Sequence, residues 1–284
     1  PEGRSGDALV NVVGKRVPLI DAWAKVAGQA TYTDDLKLPG MLVGKILRSP
    51  HPHARIRGID VAAAEALPGV RAVVVGKEAP GRFGVLPVSQ DETAMAIDKA
   101  IYVGDNVAGV AADTEAIALE ALKRMKVDWE VLEPILRPED ALKPTSDPLH
   151  EKSMRGTNIH KEVEQEFGDV KGILAASAHV AEGDFELIGV THAFTEPMCS
   201  IAHFEPDGRL TLWSAQQVPH YLHRALATVM DMPMHRIRVI RPFVGGAFGG
   251  KSDPFPHEMI VALLSRKCGR PVKILFDREE VFFS

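Results

Sequence analysis

Gly245-Gly246-Ala247-Phe248-Gly249-Gly250-Lys251-Ser252 is the stretch on which the reading of this chain turns. Its spacing satisfies G-x-x-x-x-G-K-S/T, the pattern of a phosphate-binding loop. Such a loop works when a strand feeds it and a helix starts inside it, so that loop amides and helix N-terminus face the phosphates together. Ile237-Arg238-Val239-Ile240, running into Pro242-Phe243-Val244, supplies the strand. The helix is opposed by Asp253-Pro254-Phe255-Pro256, whose prolines remove backbone donors and push Asp253 and Phe255 towards extended conformations. The next helix is expected near Glu258. What remains is a glycine-rich loop with a phenylalanine at its tip, which admits close approach of a ligand to the main chain because glycine lacks a Cβ. A tight packing loop around a buried aromatic weighs equally on spacing alone, and ATP binding is the least favoured reading.

The bulk composition narrows the class. The chain has 284 residues, 45% hydrophobic and 25% charged, the balance of a globular protein. A formal net charge of −5 argues against nucleic acid as a partner. No apolar run reaches membrane-spanning length and the N-terminal residues carry no signal-peptide core. The two cysteines, Cys199 and Cys268, cannot form a metal cluster unaided; they point to a reducing compartment, and the cytoplasm is the expected location.

Along the chain, residues 1–13 read as an arm, 14–142 as a first compact unit, 143–158 as a proline-rich linker and 159–284 as a second unit. Strands are expected at 41–47, 70–75 and 107–112, the last made of small residues, with a half-buried strand alternating Val127, Trp129 and Val131. A short helix is expected at 61–67, and Asp113 is expected to cap a helix carrying Ile117, Ala121, Leu122 and Met125. In the second unit, strands are expected at 177–187, 200–204, 210–213 and 272–276, and helices at 219–230 and 258–267, the latter closed by Gly269 and Pro271. The class is α+β. Asp277 to Glu280 has capping spacing, yet only Val281, Phe282, Phe283 and Ser284 follow. That pattern is expected of a chain cut inside a domain or completed by another polypeptide.

Among chemically able side chains, Gln216-Gln217 follows a strand and could present amides to a ligand, although a turn amide bonded to its own backbone is the stronger reading. His220 with His223, and His51 with His53, lack the third ligand that a zinc site needs. Glu196 and Glu258 are candidate carboxylates, with helix capping the stronger reading for Glu258. Both cysteines are expected to be buried thiols.

Taken together, several strings resemble the molybdenum-binding subunit of the xanthine dehydrogenase and aldehyde oxidase family, over nearly the whole chain. In the first unit these are KVAGQATYTDD at 25–35, LRSPHPHARI at 47–56, LPGV at 67–70 and YVGDNVA at 102–108, which resemble its α/β hammerhead domain. In the second they are WSAQQVPH at 213–220, GGAFGG at 245–250, GRPVK at 269–273 and REE at 278–280, which resemble the first part of its molybdopterin-binding domain. Within the family, FGVLP at 83–87 and EFGDV at 166–170 are most similar to the large subunit of 4-hydroxybenzoyl-CoA reductase.

The resemblance implies a molybdenum–molybdopterin cofactor, with the cytosine dinucleotide as the expected form. It casts Gln217 as the catalytic, cofactor-binding glutamine that hydrogen-bonds an oxygen ligand of the metal, and Gly245, Gly246, Ala247, Phe248 and Gly249 as the cofactor-binding loop; no side chain is implied as a direct metal ligand. Gln216 stands where family members usually have threonine. Ser252 lines the substrate pocket where purine-oxidising members carry glutamate, which argues against a purine. The family's base glutamate lies several hundred residues further on, so another chain or a missing segment is implied to supply it. The implied activity is hydroxylation, or reductive dehydroxylation, of an aromatic, N-heterocyclic or aldehyde substrate, an aromatic CoA ester among them. The implied partners are an iron–sulfur subunit with 2Fe–2S clusters, an FAD subunit and a chain carrying the rest of the molybdenum domain. A non-catalytic assembly subunit is the alternative, and a P-loop nucleotide-binding protein the remote one.

Overall fold

A computed structural model describes residues 13–86, 89–154 and 156–283. Residues 1–12 of the expected arm lie outside the described residues. The strands in chain order are β1 Leu42–Arg48, β2 Ala54–Asp60, β3 Val70–Val75, β4 Arg82–Phe83, β5 Glu92–Thr93, β6 Lys99–Ala100, β7 Asn106–Ala112, β8 Lys126–Val131, β9 Cys199–Phe204, β10 Leu210–Ser214, β11 Ile237–Ile240 and β12 Val272–Leu275. The α-helices are α1 Ala22–Val26, α2 Ala62–Glu65, α3 Glu115–Arg124, α4 Pro138–Ala141, α5 Val170–Ala176, α6 Pro219–Val229, α7 Pro256–Cys268 and α8 Arg278–Phe282. Among the described residues no helix is long and apolar enough to cross a membrane.

One seven-stranded sheet, ordered β11-β10-β9-β12-β1-β7-β3, organises the molecule. It draws strands from both sides of the expected linker: β12 pairs with β1 in parallel, with Leu42 opposite Val272 and Gly44 opposite Ile274. A smaller sheet, β6-β2-β8, stands beside it. All seven residues of β7 are buried, because helices cover both of its faces. Ala108, Val110 and Ala112 pack with Ala118 and Ala121 of α3, while Gly109 faces Ile260 of α7. Small side chains let both helices come close, which is why this strand reads as alanine and glycine rather than as alternating polar and apolar residues. Helix α7 is the core's central element: residues 257–265 are all buried. Pro256 opens it at a position where the missing N–H costs nothing, and Gly269 closes it at φ +65°.

Two expectations need correction. Residues 177–187 form no strand; Phe185 and Leu187 are 94% and 95% exposed, and an alternating pattern without a neighbouring strand gains no ladder. Thr114, not Asp113, caps α3 by accepting the Ile117 N–H at 3.3 Å. Asp113 instead accepts from Arg71 Nη2 at 2.5 Å and from Arg270 Nη1 at 3.3 Å. The stretch around 143–158 is held to the first unit, with Asp147 accepting from Lys99 Nζ at 2.8 Å and from Arg55 Nη2 at 2.7 Å.

The β1–β12 pairing leaves no room above Gly44, where an added Cβ would lie 2.6 Å from Ile274 Cγ1 and 3.1 Å from Val272 Cγ1. Gly44→Val is therefore expected to destabilise the fold by about 1–3 kcal/mol through overpacking. An unchanged urea unfolding midpoint would contradict this way of joining the two halves.

Candidate active site

Strands β10 and β11 run in parallel, Leu210 opposite Ile237 and Trp213 opposite Ile240, so their C-terminal ends lie side by side. Beyond β10 come Ala215, Gln216 and Gln217, and then α6, with Pro219 at its first turn. Beyond β11 the chain passes Phe243, bridged to Tyr32, and enters the glycine loop. Ligands in α/β sheets gather outside such carboxyl ends.

Gln217 ties the two segments together. Its N–H donates to Lys251 O at 2.7 Å, and its Oε1 accepts from Gly249 N–H at 3.1 Å and Lys251 N–H at 3.3 Å. Its Nε2 has no partner among the described residues. The turn-amide reading holds for Gln216 alone, whose Oε1 accepts from Gln217 N–H at 2.8 Å and Val218 N–H at 3.3 Å.

The loop presents main chain. Gly246 and Gly249 adopt φ of +97° and +95°, values closed to residues with a Cβ, and a Cβ on Gly250 would fall 2.7 Å from His192 Cγ. Gly245 donates its N–H to Glu196 Oε2 at 2.7 Å. The amides of Gly246, Ala247 and Phe248 have no hydrogen-bond partner among the described residues. Phe248 itself sits at φ +53°, which costs a non-glycine residue about 1–2 kcal/mol, and its ring is 76% exposed rather than buried. That overturns the packing reading of the loop.

The nucleotide-binding reading fails on geometry. The helix starts at Pro256, beyond Ser252, so no helix N-terminus faces the loop. Lys251 turns inward: its Nζ donates to Glu196 O and Oε2, both at 2.9 Å, and lies 4.6 Å from the centroid of the Phe194 ring. Burial lowers its pKa from the usual lysine value, with Glu196 opposing the shift. Ser252 donates its hydroxyl to Gly249 O at 2.6 Å, bracing the loop's far side.

Behind the loop lies a buried polar cluster. Glu258 Oε1 accepts from Ser214 Oγ at 2.5 Å, and its Oε2 accepts from Phe255 N–H at 2.8 Å. Gln216 Nε2 lies 3.4 Å from each of these oxygens and donates at 2.8 Å to Asp253 O. Glu258 is thus a cap and also the anchor of Gln216. Burial pushes its pKa up to about 7 against the lowering effect of these donors. Burial likewise pushes the Cys199 thiol up to about 12, so it is an inert core group. One histidine of each candidate metal pair is engaged elsewhere: His223 Nε2 lies 2.9 Å from Met234 O, and His53 Nδ1 lies 2.7 Å from Glu133 O.

A cavity of about 170 Å³ lies between Arg48 and Tyr102 of the first unit and residues 253–257 of the second, and another of about 660 Å³ lies on the hammerhead side; neither is lined by Gln217 or the loop. The loop site is an open face. Unpartnered amides, a free amide NH₂ and glycines at the closest approach fit a large group rich in oxygen and nitrogen acceptors. Among the described residues no group of three or more His, Cys, Asp or Glu converges to hold a metal ion directly.

Comparison with known proteins bears on this geometry. Residues 27–133 match the aldehyde oxidase and xanthine dehydrogenase a/b hammerhead domain, and residues 149–284 match the molybdopterin cofactor-binding domain. The chain is 40% identical over 262 residues to a probable xanthine dehydrogenase subunit of Bacillus subtilis (strain 168), covering 92% of this chain and 34% of that protein. It is 35% identical over 271 residues to the nicotinate dehydrogenase large molybdopterin subunit of Eubacterium barkeri, covering 95% of this chain and 62% of that one. The crystal structure of quinoline 2-oxidoreductase from Pseudomonas putida 86 superposes with a TM-score of 0.79 at 34% identity, over 95% of this chain and 35% of that chain. The chain belongs to the xanthine dehydrogenase and aldehyde oxidase family. It carries that family's hammerhead domain followed by a stretch that matches its molybdopterin-binding domain, in an α+β arrangement. It spans about a third of the length of the Bacillus relative and of the quinoline enzyme chain.

Within this site, Glu258 is the group whose titration reads out the integrity of the cluster behind the loop. Its folded-state pKa of about 7 lies above its ordinary 4.5. Its contribution to stability is therefore full below about 4.5 and is lost as pH rises through about 7. Glu258→Gln removes that loss, so the variant's urea midpoint is expected to gain on the parent's between pH 5 and pH 8. A difference that stays constant over that range would contradict the assignment.

Proposed function

We propose that the face formed by Gln217, Gly245, Gly246, Ala247, Phe248 and Gly249 binds a molybdenum–molybdopterin cofactor, and that this chain is part of a molybdenum-dependent oxidoreductase. The observation that carries the reading is the bond from Gln217 Oε1 to the loop. It turns Nε2 into a fixed, free donor beside the unpartnered amides of residues 246–248. Such preorganised donors stabilise negative charge without reorganising when it develops. When bound, the cofactor supplies the redox chemistry of the substrate carbon. This chain's residues would bind and orient that group: the loop amides would hold its acceptor atoms, Gln217 Nε2 would donate to one of its oxygens, and Phe248 would offer an apolar wall.

The relatives are named for a purine, nicotinate and quinoline, and these names support an N-heteroaromatic substrate. Ser252 stands where the resemblance places a glutamate in purine-oxidising members, which favours the non-purine members of that class. The strings at 83–87 and 166–170 keep an aromatic CoA ester as the second substrate class to screen. The proposed complex is cytoplasmic and includes iron–sulfur and FAD subunits. Residues beyond this chain would close the open face and supply the base. The cytosine dinucleotide is the proposed form of the pterin.

Gln217→Ala in the assembled enzyme is expected to lower turnover of an N-heteroaromatic substrate about 10–100-fold, the range for residues that orient a metal centre. Dye-coupled assays alongside molybdenum analysis check this. Unchanged turnover with unchanged molybdenum content would remove Gln217 from the site.

A further inference from the structure

Both ends of the glycine loop converge on one carboxylate. Glu196 Oε2 accepts the Gly245 N–H at 2.7 Å and the Lys251 ammonium at 2.9 Å. The Glu196 N–H in turn donates to Gly245 O at 3.2 Å, and Lys251 Nζ donates to Glu196 O. Arg278 of α8 donates to Phe194 O at 2.7 Å and to Thr195 O at 2.8 Å, fixing the backbone that carries Glu196. The Lys251 side chain is only 2% exposed, and Glu196 Oε1 is buried with no partner among the described residues. A buried ion pair with an orphan oxygen is a poor way to gain stability, since well-packed apolar residues of the same volume do as well or better. Its geometry, in contrast, is well suited to pinning two points of backbone, because charge-assisted bonds are short and directional.

We infer that Glu196 is a positioning residue that clasps the loop, keeping the amides of Gly246, Ala247 and Phe248 clear of protein partners, with Lys251 as its buried counter-charge. The consequence for cofactor retention rests on the function proposed above; the clasp itself does not.

Amide hydrogen exchange on this chain tests the clasp directly. Glu196→Ala is expected to speed exchange at Gly245, and at the hydrogen-bonded amides of Gly249, Gly250 and Lys251, by about 10–100-fold, the equivalent of losing a hydrogen bond to a charged group. Amides of β10 and α7 should be unaffected. Glu196→Gln combined with Lys251→Met keeps an acceptor for Gly245 and removes the ammonium, so it should restore Gly245 protection. Should the alanine variant not fold, Glu196→Gln alone separates the two bonds: exchange near Lys251 rises while Gly245 stays protected. Unchanged loop exchange, equal loosening of β10 and α7, or failure of the double variant to rescue would each overturn the inference. Molybdenum content of the assembled enzyme separates the two claims. A loosened loop with lost metal supports both, whereas a loosened loop in a complex whose parent form also contains no molybdenum leaves the clasp standing and contradicts the cofactor reading.

Discussion

The parallel pairing of β10 with β11 is the constraint on which the site depends. It brings the segment after Ser214 and the segment after Ile240 out at one end of the sheet, where Gln217 can reach Gly249 and Lys251. Antiparallel pairing would send the two segments to opposite ends. The pairing is held from behind by β9, antiparallel to β10, and by α7, whose apolar face spans the sheet. Burial of Ile260, Leu263 and Leu264 contributes about 1.5–3 kcal/mol each, ample to offset the strain at Phe248.

Electrostatics around the loop follows a consistent division. Charged side chains sit behind it, buried and committed: Lys251 to Glu196, and Glu258 to Ser214 and Phe255. The donors left without partners among the described residues are neutral, the backbone amides of Gly246, Ala247 and Phe248 and the Gln217 NH₂. A loop built to hold a nucleotide triphosphate would reverse this, with its lysine outward and a helix N-terminus in front. The same eight residues therefore satisfy a nucleotide-binding pattern in sequence and present a different surface in space.

Much of this was legible in the sequence, for local reasons. Pro254 and Pro256 exclude a helix inside the loop, Pro219 and Gly269 mark helix ends, and Asp277 with Glu280 forms the capping box, Glu280 N–H donating to Asp277 Oδ1 at 2.8 Å. What escaped was non-local. Nothing in spacing links Glu196 to Gly245, 49 residues away, or Gly44 to the strand at Val272. The alternation at 177–187 has the period of a strand, but pairing needs a neighbour, and no described strand lies alongside it. Gln216 and Gln217 are chemically identical in sequence; the backbone turn alone commits the first to its neighbours and frees one end of the second.

The central claim is that the Gln217 and glycine-loop face carries a molybdenum cofactor. Elemental analysis of the native complex, purified gently with its partners attached, tests it most directly. Molybdenum in stoichiometric amount with this chain is the predicted result. A complex that assembles stoichiometrically yet contains no molybdenum would contradict the claim and favour an assembly role.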